Sequence, residues 1–165
     1  MVMMANSSHM LSSVRASGEA HAVDAAAEDS TLPTADAGFR MVRVAVLTLV
    51  NGERARAGRR PLQLNWRLNR AAQSHADDMA ARFYFAHNTL DGRAWDDRVR
   101  RLGYDSARLG ENIAQGQSDA EQAVAEWMDS AEHRARILDP DYFCLGVGFN
   151  LTASYWVQDF AGRRK

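Results

Sequence analysis

The chain has 165 residues, 46% of them hydrophobic and 25% charged, which suits one domain with a buried core and leaves little room for a second. A formal net charge of −1 gives no basic footprint for nucleic acid, and no apolar run is long enough to span a membrane as a helix. Cys144 is the only cysteine, so an intrachain disulfide and a cysteine-based zinc site are both excluded; between Phe143 and Leu145 it reads as a buried, inert thiol.

Residues 1–38 are rich in Ala, Ser, Asp, Glu and Gly without sustained periodicity and are expected to form a disordered tail. Asn6-Ser7-Ser8-His9-Met10 resembles a cloning leader, and no apolar signal core precedes a cleavage site. His9 and His21 lie in this tail and carry no functional weight. Order is expected from Phe39, giving a folded domain over residues 39–165. Val42, Val46, Leu49 and Val50 recur at helical spacing, and Gly58 and Pro61 stop that helix. Leu62 and Leu64 alternate with Gln63 and Asn65 in a short extended linker, and Asn65 can cap the next helix.

The second helix is predicted from Trp66 to about Phe83, with Leu68, Ala71, Ala72, His75, Met79 and Phe83 on one stripe. On such a stripe, His75 is read as a hydrogen-bonded core residue in preference to a ligand. His87 follows an aromatic cluster, just before the Asp91-Gly92 turn signal. Trp95, Val99 and Leu102 mark a short third helix stopped by Gly103. Gly110-Glu111-Asn112-Ile113-Ala114 contains a strand-like step, and Ser118 to Glu121 has the form of a capping box opening a fourth helix. Val124, Trp127, Met128 and Ala131 form its apolar face. Glu126, Ser130 and His133 share the other face only while the helix continues, and Ile137 on that polar face argues for a break near Ser130.

Beyond Asp139-Pro140-Asp141, Leu145–Phe149 and Tyr155–Phe160 read as two strands joined by a hairpin. Helices early and strands late predict an α+β domain, with helices packed on a small, mainly antiparallel sheet.

Several segments together resemble the CAP superfamily, also called the SCP or cysteine-rich secretory protein domain, in its bacterial branch. They are Val50–Arg54 with Pro61-Leu62, Phe85-Ala86-His87 with Asp91-Gly92, Gly110–Ala114, Trp127 with Ser130 and His133-Arg134, Gly146-Val147-Gly148, and Tyr155–Phe160. The resemblance covers nearly everything from Phe39 to Gly162. It implies a three-layer α-β-α sandwich, a secreted or envelope location, and a cleft of two histidines and two acids; the chain itself is expected to be a monomer. Carried over, the histidines are His87 and His133 and the first acid is Glu111. The second acid falls on Ser130, which removes one carboxylate; Glu126, one turn earlier, is the candidate substitute.

Two imidazoles on an accessible cleft can hold Zn²⁺ or a similar divalent ion, so His87 and His133 are the candidate metal ligands. The competing reading is a buried hydrogen-bonded network that fixes helices against the sheet. Glu111 is the candidate base of a zinc-dependent hydrolase or protease, but the compact H-E-x-x-H arrangement is absent. Ser130 beside His133 reads as a helix cap before a nucleophile. The favoured function is therefore a binding module, for a small lipid or a protein partner.

Overall fold

The computed structural model describes residues 34–163. The expected tail and leader lie almost wholly outside that range. Helix α1 spans Thr34–Arg56, so helical structure already exists ahead of the expected start at Phe39. The other elements are β1 (Gln63–Leu64), α2 (Trp66–Arg82), α3 (Trp95–Arg101), β2 (Leu109–Gln115), α4 (Ala120–Asp129), α5 (Ala131–Ile137), β3 (Cys144–Asn150) and β4 (Tyr155–Ala161).

The four strands form one sheet in the order β1-β3-β4-β2, with only the β1–β3 pair parallel. The alternation of a strand sorts the residues of β2 and β4 onto two faces. Ile113, Tyr155 and Val157 pack with Ala72, Ala76 and Met79 of α2. On the other face Ala114, Trp156 and Phe160 join Val46 and Val50 of α1 and Val124 and Trp127 of α4. This is the expected α+β, three-layer α-β-α sandwich with a mainly antiparallel sheet. What reads as a linker at Gln63 and Leu64 proves to be a short parallel strand.

Local signals explain most element ends. Asn65 caps α2 as expected, its Oδ1 accepting from the amides of Arg67 (3.0 Å) and Leu68 (3.3 Å). The cap of α4 differs from the expected capping box. Asp119, not Ser118, is the N-cap, and its Oδ1 accepts from the Gln122 amide at 2.8 Å. Ser118 instead donates its hydroxyl to Asp119 Oδ2 at 3.1 Å. A charged acceptor closer to the helix start wins over a hydroxyl one residue further away.

Helix α2 lies directly on β3 because two glycines leave room for it. A Cβ on Gly146 would stand 2.2 Å from the Leu68 carbonyl carbon, and one on Gly148 would stand 2.1 Å from that of Ala72. Beyond the short β1, side chains of α2 bind the amides of β3 that β1 leaves unpaired. Val147 N–H donates to Asn69 Oδ1 and Phe149 N–H to Gln73 Oε1. Cys144 is buried, and burial pushes its thiol pKa up, as expected of an inert cysteine. Among the described residues no helix is long and apolar enough to cross a membrane.

Candidate functional site

The site is organised by the edge strand β2. Adjacent residues on a strand face opposite ways, so Glu111 points to the α2 layer and Asn112 to the α5 layer. Both are buried, at 2% and 0% exposure. Each fixes one histidine segment. His87, in the loop after α2, places Nδ1 2.7 Å from Glu111 Oε1. On the opposite face, Asn112 Nδ2 donates to the His133 carbonyl and to Gln158 Oε1, both at 3.2 Å. One Glu-Asn step therefore ties together two segments that lie far apart in the chain.

Arg98 of α3 completes the first half. Its Nη1 donates to the His87 carbonyl at 2.8 Å, and its Nη2 pairs with Glu111 Oε2. Both Glu111 oxygens are thus engaged, one by an imidazole and one by a guanidinium, on a side chain that is 1% exposed. Such a carboxylate orients its neighbours. With Nδ1–H directed at Glu111, the other ring nitrogen of His87, Nε2, is left as the lone-pair donor in the neutral imidazole.

His75 behaves as the core residue predicted for it. Its Nε2–H donates to the Ala86 carbonyl at 2.8 Å, one residue before His87, so α2 secures the His87 loop from beneath. Burial lowers its pKa, and the Arg98 charge lowers it further.

His133 sits on α5 and is half-buried. Burial lowers its pKa first, followed by the charges of Arg136 and His87; Glu132 and Glu126 oppose this. His87 and Glu126 thus both lie within electrostatic reach of His133. Glu126 is exposed and accepts a hydrogen bond from Gln117 Nε2. Ser130 (φ −86°, ψ 123°) is the extended residue separating α4 from α5, the break anticipated there. It occupies the N-cap position of α5, although its hydroxyl makes no capping bond. Because of that break, Glu126 and His133 belong to different helices and share no common face.

Among the described residues, no group of three or more His, Cys, Asp or Glu side chains is placed to hold a metal. The described residues therefore bring together fewer than the three protein ligands typical of a catalytic zinc site. Two cavities flank this region. One of about 310 Å³ is lined by Arg108, Glu132, Arg136, Asp139 and Tyr142. The other, of about 200 Å³, is lined by His75, Asp78, Arg82, Asp91, Arg93 and Arg98. Most of the residues in both linings are Asp, Glu or Arg.

Arg98 and Asp159 are the residues that the sequence did not single out. Arg98 is one arginine among many on a short polar helix. Asp159 had a signal, because it is the one charged residue in the largely apolar run Tyr155–Phe160.

A helix–sheet–helix sandwich with this sheet is the architecture of domains of the CAP type. The chain belongs to the Cysteine-rich secretory protein family, whose profile matches residues 47–160. It is 33% identical over 138 residues to YkwD of Bacillus subtilis, covering 84% of this chain and 54% of that protein. It is 33% identical over 118 residues to the membrane protein YlbC of the same organism, covering 72% of this chain and 34% of that one. The crystal structure of an extracellular SCP-domain protein from Bacillus anthracis superposes with a TM-score of 0.71 at 27% identity, covering 75% of this chain and 41% of that one. The chain thus spans about half of YkwD and a third of YlbC.

Proposed function

We propose that the domain is a secreted or envelope-associated binding module. In this reading its cleft presents the imidazoles of His87 and His133 to a divalent cation such as Zn²⁺, held weakly and exchangeably. The observation that carries the reading is the double engagement of Glu111. A general base needs a carboxylate that the attacking water can reach. Glu111 is buried and holds both His87 and Arg98, so its chemistry is to orient His87 and fix its tautomer. This favours binding over metal-assisted hydrolysis. When bound, the ion would supply a positive centre with open positions for a polar group of a partner.

The charged linings of the flanking cavities favour a protein or other polar partner over a lipid tail, which needs an apolar tunnel. The extracellular location is supported by the solved relative from Bacillus anthracis. The hydrolase reading has a direct test. Purified protein is incubated with a broad peptide and ester library, with and without Zn²⁺. No turnover above background is expected. Turnover that vanishes in both His87→Ala and His133→Ala would replace the binding reading with the enzymatic one.

A further inference from the structure

Asp159 lies opposite Glu111 in the antiparallel β2–β4 pair, so both carboxyl groups project from the same face of the sheet toward α2. Asp159 is 0% exposed, and neither of its oxygens meets a hydrogen-bond donor. A dry carboxylate directly across from a second one is costly twice over, through desolvation and through like-charge repulsion. Arg98 lies close enough to act on Asp159, but its two terminal nitrogens already serve Glu111 and the His87 carbonyl. Directly opposite residues of an antiparallel pair have Cβ atoms about 4.5–5.5 Å apart, which lets the Glu111 and Asp159 carboxyl groups meet. Two carboxylates cannot bond each other, whereas a neutral acid donates readily to a carboxylate.

We propose that Asp159 is a further positioning residue of the cleft: as a neutral acid it donates its hydroxyl hydrogen to Glu111, fixing the carboxylate that holds His87 and Arg98. Each carboxylate oxygen has two lone pairs, so Glu111 can accept this bond in addition to those from His87 and Arg98. The groups facing the pair are Arg98 from α3, His75 from α2 and His87 from the loop after α2. Burial pushes the Asp159 carboxyl well above the usual carboxylate range, the Glu111 charge adds to this, and Arg98 opposes it. The functional meaning rests on His87 being a cleft residue, but the proton arrangement does not depend on any bound ion.

The test uses metal-free full-length protein labelled for carboxyl ¹³C and histidine ¹⁵N NMR. Asp159 is expected to show the shift of a protonated acid at neutral pH and to remain flat where exposed carboxylates titrate. Asp159→Asn retains a donor facing Glu111, so it should preserve the hydrogen-bonded His87 Nδ1–H resonance. Asp159→Val should shift or broaden it. An Asp159 carboxyl that is ionised at neutral pH overturns the proposal. So does an unchanged His87 resonance in Asp159→Val, or one displaced in Asp159→Asn as far as in Asp159→Val. If the valine variant does not fold, the wild-type carboxyl titration and the asparagine variant still decide. Zinc binding is measured separately on wild type, so a failure of the cleft reading leaves this result interpretable.

Discussion

The carboxylate of Glu111 receives His87 Nδ1 at 2.7 Å on one oxygen while Arg98 occupies the other. The three side chains come from β2, the loop after α2, and α3, so a single buried anion joins three parts of the fold. Replacing it by Glu111→Gln keeps the shape but removes the charge and leaves the Arg98 guanidinium without its anion. Breaking a buried ion pair from one side costs about 3 kcal/mol or more. Urea unfolding should show a loss of that order, with the denaturant slope unchanged.

Packing makes a second prediction, remote from the cleft. A Cβ on Gly148 would meet the Ala72 carbonyl carbon at 2.1 Å and the Gln73 amide nitrogen at 2.2 Å. These are backbone atoms of α2 and cannot turn aside as a side-chain tip would. Gly148→Ala should therefore lift α2 from the sheet and destabilise the domain by at least the roughly 1–3 kcal/mol typical of overpacking. A fall in thermal midpoint, with amide exchange quickened first along α2, is the expected result.

A pH dependence follows from His75. Burial holds its pKa below the ordinary 6.5. As pH falls, the unfolded chain therefore takes up this proton before the folded one does. The contribution of His75 to stability is complete above 6.5 and is lost as pH drops through the window beneath it. Asp159 works with the opposite sign, since an acid with a raised pKa binds its proton more tightly in the fold. The two are separated by comparing wild type with His75→Gln between about pH 5 and 7; the variant should lose part of the decline seen in wild type.

Much of this architecture was legible in the chain because its causes are local. Asn65 announced the start of α2, and the misplaced phase of Ile137 announced the break at Ser130. The β3–β4 hairpin was visible in its β-branched and aromatic runs. The pairing of Gln63 and Leu64 with Cys144 and Leu145 was not visible, since a two-residue strand has no period and its partner lies far along the chain. At the site, Glu111, His87 and His133 were found by resemblance, and the contact between His87 and Glu111 needed the fold. Arg98 was hidden because an arginine on a short helix looks the same in sequence whether it faces water or a buried carboxylate. Asp159 could have been noticed, since burying an acid between Gln158 and Phe160 in a central strand calls for a partner.

In the proposed function, His87 and His133 bind one cation together. A Zn²⁺ titration of the full chain near neutral pH, followed by ¹⁵N NMR of the histidine rings, tests it most directly. Burial keeps the His133 pKa below 6.5, so its ring is a neutral donor at about pH 7. The account predicts that the His87 and His133 rings shift together and saturably, while His75 is unchanged. Either His87→Ala or His133→Ala should remove the response of the remaining ring. Rings that stay unmoved as Zn²⁺ is added, or a response of one histidine that survives loss of the other, would contradict it.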